Sequence, residues 1–327
     1  MAPTNSSELN NFSRNVLQAF DDLNGLHPGF RPTHAKGILL SGVFTPSASV
    51  RQLTRAPHLQ QEQTAVTVRF SDFGGIPTVA DNDPNASPRG MAIRFHLAEH
   101  VHTDIIAHSV DGFPTRTAEE FVDFLRAAGA SGPDAPTPKP IETFLATHPA
   151  ALRFVQTPQP LPSSFVKESF YAVNAYRFTN EAGMSRYGRY RIHPESGSDY
   201  LSPSAAAAAS TDFLFEEIRQ RLAKSSARMR ITVQLAESGD VVDDSTVHWP
   251  EDRPLVDFGA VELLSAFPNN EAEQQHIIFD PIPRVDGIDS SGDPLLEPRA
   301  AVYLMSGRRR RAMGTVDASQ ASYAAVK

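Results

Sequence analysis

The most informative absence in this 327-residue chain is cysteine. Without a thiol the chain has no disulfide, no cysteine-ligated zinc, no iron–sulfur cluster and no thiol nucleophile. It also has no apolar run approaching about 18 residues, so we expect no helix that spans a membrane. The N-terminal residues lack the basic and apolar regions of a secretory signal. Together these absences predict a cytoplasmic protein whose chemistry depends on other side chains.

The charge balance argues against nucleic acid as a partner. The chain has 30 Lys and Arg against 38 Asp and Glu, a formal net charge of −8, whereas proteins that bind nucleic acid neutralise phosphates with basic residues. The exception is a run of four arginines at residues 308–311. Such a run is typical of a solvated helix C-terminus or of a site that binds the carboxylates of a ligand.

Short segments of alternating and β-branched residues predict an antiparallel β fold. Strand-like stretches lie at residues 34–44, 64–73, 90–98, 103–110, 170–178, 187–193 and 229–236. A helix is predicted after Thr117, which can form a capping box with Glu120, and further helices near residues 141–155 and 213–222. Many strands at hairpin spacing with scattered helices are typical of an antiparallel β-barrel with surrounding helices, in the α+β class.

No shift in composition marks a domain boundary, so we expect one domain over residues 1–327. The barrel is expected to occupy residues 30–240 or so. The following stretch, residues 241–298, is acidic, proline-rich and poorly periodic, and we expect it to wrap over the surface. A helix over residues 299–312 is expected to follow.

Arg299 and Tyr303 are spaced Arg-x-x-x-Tyr on this last helix. Residues four apart lie on one face of a helix, so the guanidinium can reach the phenol oxygen. A tyrosine can ligate a haem iron as the phenolate, although a free phenol has a pKa of about 10. A guanidinium bonded to the oxygen favours that charged form. Alone, the pair is more often a surface arginine stacked on a tyrosine, so its interpretation depends on the rest of the chain.

Further motifs occur along the chain in a fixed order. The early ones are Arg31-Pro-Thr-His34-Ala-Lys-Gly37, Val68-Arg69-Phe70-Ser71 and Pro88-Arg89-Gly90-Met-Ala-Ile-Arg-Phe95. The late ones are Trp249-Pro-Glu-Asp252, Phe279-Asp-Pro281, Asp286-Gly-Ile288 and Asp293-Pro-Leu-Leu296. In order and spacing, these motifs and the pair on the last helix resemble the haem catalase family. The chain is shorter than a usual catalase, and we expect a minimal version of the fold without a C-terminal flavodoxin-like domain, so within the family it is similar to the small catalase-related peroxidases.

The resemblance implies two residues on the distal side of a haem. His34 corresponds to the distal histidine, which moves a proton between the two oxygens of a peroxide and for which a near-neutral pKa is suited. Ser71 corresponds to the serine that bonds the back of this imidazole and fixes its tautomer.

The resemblance also implies how a b-type haem and its iron are held. Tyr303 corresponds to the proximal phenolate ligand of the iron, with Arg299 as its charge partner. The arginines that bind the haem propionates correspond to Arg31, Arg69 and Arg310. Within the arginine run the register stays open, because Arg308 fits nearly as well as Arg310.

One departure from the family concerns the distal pocket. Catalases place an asparagine after the fourth barrel strand, where it orients peroxide opposite the distal histidine. The matching stretch here is Asp104-Ile-Ile-Ala-His108-Ser109-Val110, which contains no asparagine. His108 or Ser109 takes that place, and Asn174 is a poor substitute by position. The departure implies weak oxygen release from hydrogen peroxide, while haem binding and peroxide cleavage are unaffected.

The resemblance therefore implies a haem-dependent peroxidase that reduces hydrogen peroxide or organic hydroperoxides with an external small-molecule electron donor. It is expected as a monomer or small homo-oligomer. One alternative is a catalase-fold enzyme that rearranges fatty-acid hydroperoxides, as an allene oxide synthase does. A second is a haem-binding protein without turnover, against which the pairing of His34 with Ser71 argues. A third, a barrel without haem, predicts no Soret band.

Overall fold

The computed structural model describes residues 6–313. The strands in this part of the chain are β1 (Gly37–Pro46), β2 (Thr64–Ser71), β3 (Gly90–Ala98), β4 (Val101–His108), β5 (Phe170–Tyr171), β6 (Tyr176–Thr179), β7 (Ser185–Pro194), β8 (Ala227–Leu235), β9 (Leu255–Ala266) and β10 (Ile288–Ser290). The α-helices are α1 (Ser6–Asn24), α2 (Ala118–Gly129), α3 (Pro140–Thr147), α4 (Pro149–Gln156), α5 (Pro203–Ala207), α6 (Phe213–Leu222), α7 (Asn270–His276) and α8 (Leu296–Ala312).

Eight of these strands close an antiparallel barrel. Their order is β1, β2, β3, β4, β5, β7, β8 and β9, and β9 pairs with β1 to complete the circle. The short strands β6 and β10 continue outward from β7. Closure leaves the barrel strands without a long free edge. The prediction of an antiparallel barrel with surrounding helices is confirmed.

The two faces of each barrel strand have different surroundings. In β2, Val66, Val68 and Phe70 belong to the apolar core inside the barrel. Because side chains alternate along a strand, the odd-numbered residues of β2, which include Arg69 and Ser71, lie on the outer face. These two are buried nonetheless, at 4% and 3% exposure. The outer face of this part of the wall is therefore covered by other elements.

The cover consists of helices α1, α2 and α8. Val16 and Phe20 of α1 pack against Val122 and Leu125 of α2 in a second apolar cluster, separate from the barrel core. Helix α2 begins at the predicted capping box, in which Thr117 accepts a hydrogen bond from the Glu120 backbone N–H at 3.2 Å. Helix α8 packs against α1. Within residues 6–313 no helix is long and apolar enough to cross a membrane.

The predicted surface wrap at residues 241–298 is wrong for its central part. Strand β9 lies within that stretch and is a full barrel strand between β1 and β8. Its alternation is broken by Gly259, which has a φ of +145° next to a register shift. Its Asp257 forms an ion pair with Arg230 of β8 at 2.5 Å. These features made a barrel strand look like an irregular acidic segment.

Two other elements differ from the sequence prediction. The strand expected at residues 170–178 is divided into β5 and β6 by residues 172–175. Helix α1 was not predicted. Its buried Val16 and Phe20 are four residues apart, a spacing that puts both on one helix face.

Candidate active site

The main cavity lies between the outer face of β2, β3 and β4 and the covering helices. Its volume is about 220 Å³. Eight of the nine site residues predicted from the sequence line it: Arg31, His34, Arg69, Ser71, His108, Arg299, Tyr303 and Arg310. The ninth, Ser109, is not among the described residues that line this cavity. Its hydroxyl accepts a hydrogen bond from the Arg89 backbone N–H at 2.9 Å instead.

His34 is held in one orientation beside the end of β2. Its Nδ1 lies 3.0 Å from the hydroxyl of Ser71, and its backbone N–H donates to the carbonyl of Phe73 at 2.7 Å. Its φ is +54°, a left-handed conformation that is uncommon for a residue other than glycine. Such a conformation costs on the order of 1–3 kcal/mol and is concentrated at functional sites.

The imidazole of His34 also depends on a close approach to β3. A Cβ at Gly90 would stand 2.6 Å from the Ser71 hydroxyl and 2.8 Å from His34 Nδ1. Only glycine therefore leaves room for the Ser71–His34 pair at this point of the barrel wall. This close packing therefore explains why the Pro-Arg-Gly motif contains a glycine.

The electrostatic setting keeps His34 neutral. Burial, then the charge of Arg69, then His108 and Arg31 lower the pKa of His34 from 6.5 to about 3. The sequence argument favoured a near-neutral pKa, and the lower value follows first from burial and then from three neighbours that disfavour an added positive charge. At neutral pH the imidazole is therefore unprotonated.

His108 lines the cavity and has a buried, unpaired ring nitrogen. Its Nδ1 accepts a hydrogen bond from the Val110 backbone N–H at 3.3 Å, so in the neutral ring the hydrogen is on Nε2. That Nε2 is buried and has no hydrogen-bond partner in the described part of the chain. Burial and then Arg299 lower the pKa of His108 to about 3. Between His108 and Ser109, it is His108 that offers a hydrogen-bond donor to a ligand.

Helix α8 supplies the opposite set of groups from a single face. Arg299, Tyr303, Ser306 and Arg310 all line the cavity, and their spacing of 4, 3 and 4 residues follows one side of a helix. Arg310 is 3% exposed, whereas Arg308 is exposed to solvent. The helical periodicity thus distinguishes Arg310 from Arg308, a distinction that was already available in the sequence.

The phenol of Tyr303 ends a chain of hydrogen bonds. Arg299 donates to the Tyr303 oxygen at 3.2 Å and also to the side-chain oxygen of Asn174. Asn174 in turn donates to the carboxylate of Asp293 at 2.8 Å. Burial lowers the pKa of Arg299, but Tyr303, Tyr176 and Asp293 outweigh it and raise the pKa above its usual value. The guanidinium therefore keeps its charge beside the phenol.

Asn174 was set aside in the sequence analysis as a replacement for the distal asparagine. The structure gives it a different environment, on the break between β5 and β6, where it holds Arg299. The sequence signal for this contact was weak, because the two residues are 125 positions apart.

Three arginines of the cavity, two of them buried and Arg31 partly exposed, point to an anionic ligand. Arg31, Arg69 and Arg310 line one end of the cavity and bond only to uncharged groups in the described chain. Arg31 donates to the Ile277 carbonyl at 3.0 Å, Arg310 to the same carbonyl at 2.7 Å, and Arg69 to the Gln274 side chain at 2.8 Å.

The energetic cost of this arrangement appears in the pKa values. Burial, then Arg69 and Arg310 lower the pKa of Arg31 well below its usual value. Burial and Arg310 lower the pKa of Arg69 to about 9, and burial and Arg311 lower that of Arg310 to about 10. Clustered buried cations are unfavourable unless a carboxylate pairs with them. A haem, which carries two carboxylates, fits this end of the cavity, and the phenol of Tyr303 fits its iron.

The sequence analysis missed the aromatic wall of the cavity. Phe12 and Phe20 of α1 line it together with Phe121 and Phe124 of α2. Phe20 packs against Phe121 with ring centroids 6.0 Å apart. The spacing of eight residues between Phe12 and Phe20, and of three between Phe121 and Phe124, was the available signal. These rings make this wall of the cavity apolar.

Comparisons with known proteins agree with this geometry. A catalase-related peroxidase of Mycolicibacterium paratuberculosis is 32% identical over 298 residues, which cover 90% of this chain and 93% of that protein. A catalase-related peroxidase of Synechococcus elongatus is 29% identical over 302 residues, covering 90% and 87%.

Solved catalases share the fold. A fungal catalase superposes with a TM-score of 0.76 at 22% identity over 88% of this chain, which spans only 60% of the length of that catalase. A bacterial catalase gives a TM-score of 0.75 at 22% identity, covering 86% of this chain and 57% of the other. The family model for catalase matches residues 27–317. The chain therefore belongs to the haem catalase family, as an enzyme similar to its catalase-related peroxidases.

Proposed function

We propose that this chain is a haem-dependent peroxidase that reduces hydrogen peroxide and organic hydroperoxides at the expense of a small-molecule electron donor, with weak catalase activity. The observation that carries the proposal is that a single cavity has a histidine on one wall and a tyrosine phenol on another. A neutral, fixed histidine lies on the barrel side, and a guanidinium-bonded phenol lies on the helix side. The same family fold is used here in a shorter chain than in the solved catalases.

In this proposal the cofactor is haem b. Its iron is held by the phenolate oxygen of Tyr303, and its carboxylates by Arg31, Arg69 and Arg310. Guanidinium groups bind carboxylates with two hydrogen bonds, so the two carboxylates of one bound haem would offset two of the three positive charges that these arginines otherwise leave unbalanced. When bound, the haem supplies the metal at which peroxide is cleaved and the site that the donor reduces.

His34 handles the proton in this proposal. With Nδ1–H donating to the Ser71 hydroxyl, Nε2 presents its lone pair to the cavity. It takes the proton from the first peroxide oxygen and returns it to the second, which then leaves as water or an alcohol. The imidazole of His34 is neutral when peroxide arrives, and carboxylates that paired with Arg31 and Arg69 would raise its pKa from the low value that these charges help to set.

His108 takes the position opposite His34 in this proposal. Its Nε2–H can donate one hydrogen bond to a peroxide oxygen, since it has no partner in the described chain. The imidazole differs from an asparagine amide in length and in the number of its donors. A second hydrogen peroxide is therefore held less well, and release of oxygen is expected to be slow compared with donor oxidation.

The experiment is a comparison of three rates on the haem-loaded enzyme. Donor oxidation with hydrogen peroxide and with cumene hydroperoxide is measured beside oxygen release from hydrogen peroxide alone. The proposal expects donor oxidation to exceed oxygen release. Rapid oxygen release without donor would contradict it, as would conversion of a fatty-acid hydroperoxide to an isomer without any donor. The cytoplasmic location and the small assembly stay predictions.

A further inference from the structure

A second cavity adjoins the main one on the distal side. Its volume is about 250 Å³. We call it the side cavity. Its walls are the loop that follows β4 at residues 110–113, helix α4 and the segment at residues 246–248. Phe113 and Phe154 line both cavities. The two spaces are therefore separated by aromatic rings.

One of these rings contacts a site residue. The Phe154 ring lies edge-on to the His108 imidazole, with centroids 6.1 Å apart and an angle of 81° between the planes. The ring of Phe113 packs on Phe121 of the main cavity at 5.2 Å. A molecule in the side cavity that stacks on Phe154 is thus one ring away from His108.

The charge of the side cavity is opposite to that of the whole protein. Arg153 on α4 is exposed and has no ion pair within the described residues. The carboxylate of Asp111, which also lines the cavity, is bonded to Arg191 at 2.8 Å. The guanidinium of Arg153 is therefore an uncompensated positive charge on a chain of net charge −8. It favours a ligand that carries a negative charge.

The loop geometry keeps the side cavity in shape. Gly112 has a φ of +142°, a conformation that other residues rarely adopt. A Cβ at this position would stand 2.5 Å from Nε2 of His248. The imidazole of His248 therefore lies directly on the backbone of Gly112 and forms part of the wall. A side chain at position 112 would push it away.

We propose that the side cavity binds the reducing substrate, a small aromatic donor that carries a carboxylate. Its ring would stack on Phe113 and Phe154, and its carboxylate would pair with Arg153. The inference rests on the proposed peroxidase function, because it names the donor of that reaction. Two phenolic donors reduce one hydroperoxide: ROOH + 2 ArOH gives ROH, H₂O and 2 ArO•. Each phenol loses one electron and one proton. The two electrons break the O–O bond, and the two protons complete the alcohol and the water.

The first test measures binding rather than activity. Haem-loaded enzyme is titrated calorimetrically with 4-hydroxycinnamate and, separately, with its neutral methyl ester. Arg153→Gln should weaken binding of the carboxylate about three- to fivefold, since an exposed ion pair contributes little, and should leave binding of the ester unchanged. Raising the salt concentration should weaken only the carboxylate. Equal affinities for the carboxylate in parent and Arg153→Gln would overturn the assignment.

A second variant and a control separate the site from general effects. Ala150→Trp places a large side chain in the side cavity and should weaken both probes more than tenfold, with haem content and circular dichroism unchanged. Arg126→Gln removes another exposed arginine, from α2 and outside the residues that line either cavity, and this variant should bind both probes as the parent does. If Ala150→Trp proves poorly folded, the Arg153 comparison still decides the matter.

Steady-state kinetics then distinguish failure of the inference from failure of the proposed function. The inference expects Arg153→Gln to raise the KM for 4-hydroxycinnamate by the same factor, with kcat and the first-turnover consumption of peroxide unchanged. An enzyme that oxidises a neutral dye but shows no effect of Arg153→Gln or Ala150→Trp on 4-hydroxycinnamate would overturn the side cavity as the donor site. An enzyme that oxidises no donor at all would overturn the peroxidase function itself.

Discussion

Two histidines with the same low pKa sit in contrasting parts of this molecule. His58 lies inside the barrel, 4.8 Å from the Phe95 ring, and burial alone lowers its pKa to about 3. His34 lies on the outer side of the wall, where burial together with Arg69, His108 and Arg31 gives the same value. An anion bound to these arginines would offset their charge, whereas His58 does not line the cavity. The inner face is fixed by packing, and the outer face by charges that a ligand can change.

The largest expected effect concerns the helix side of the cavity. Tyr303→Phe should abolish or greatly reduce haem retention while leaving the barrel folded, because the phenol oxygen is not part of either apolar cluster. The measurement is haem content by absorbance after gel filtration, with far-ultraviolet circular dichroism on the same sample. A variant that keeps the haem and the ferric spectrum of the parent would show that Tyr303 is not the ligand.

Two neighbouring residues on β2, Phe70 on the inner face and Ser71 on the outer face, allow the stability contributions of the two faces to be compared. Phe70 is fully buried and stacks on Phe165 at 5.1 Å, so Phe70→Ala should lower the free energy of unfolding by about 3–5 kcal/mol. Ser71→Ala removes one hydrogen bond to His34 and should cost about 1 kcal/mol. Urea denaturation of both variants measures the difference. Equal losses of stability would mean that the outer face is as important for folding as the core.

The contrast between faces also indicates how much the sequence could predict. The alternation in β2 and the four-residue spacing on α8 were readable, so the barrel and the residues around one cavity could be predicted. Strand β9 could not, because Gly259 interrupts its pattern and Asp257 pairs across to β8. The link from Asn174 to Arg299 could not either, since it depends on how distant segments pack.

The distal pair illustrates a second limit. The sequence left His108 and Ser109 equivalent, because they are adjacent in the matching stretch. The two side chains leave the end of β4 in different directions, one to the cavity and the other to the Arg89 backbone. A shift of one residue moves a side chain to the other face of a strand, and motif alignment is not that precise.

A smaller effect tests the histidine of the inner face. His58 stays neutral in the folded barrel, with a pKa of about 3 against 6.5 when unfolded. The unfolded chain therefore binds the extra proton first, and the stability present above pH 6.5 is lost as the pH falls toward 3. Between pH 7 and pH 5 this amounts to about 2 kcal/mol.

The variant His58→Phe should remove this part of the acid sensitivity. Urea midpoints at pH 7 and pH 5 provide the measurement. The control is His100→Ala, because the side chain of His100 is 93% exposed, and its removal should leave the difference between the two pH values as in the parent. If His58→Phe loses as much stability on acidification as the parent, the buried histidine does not limit acid stability.

The smallest expected effect concerns the distal pocket. His108→Asn should raise oxygen release from hydrogen peroxide several-fold, because an amide would face the cavity opposite His34. Ser109→Asn serves as the matched control and should change little, since Ser109 is bonded to the Arg89 backbone instead. An oxygen electrode measures both variants. A larger gain from Ser109→Asn would reverse the assignment of the two residues.

The central claim is that His34 moves the proton during peroxide cleavage, and one measurement tests it most directly. Haem-loaded parent and His34→Ala are mixed with hydrogen peroxide in a stopped-flow instrument, and the first-turnover rate of peroxide consumption is recorded at equal haem content. General acid–base catalysis contributes on the order of 10²–10⁴-fold, so the variant should be slower by about that factor. A variant that retains the haem and consumes peroxide as fast as the parent would contradict the account.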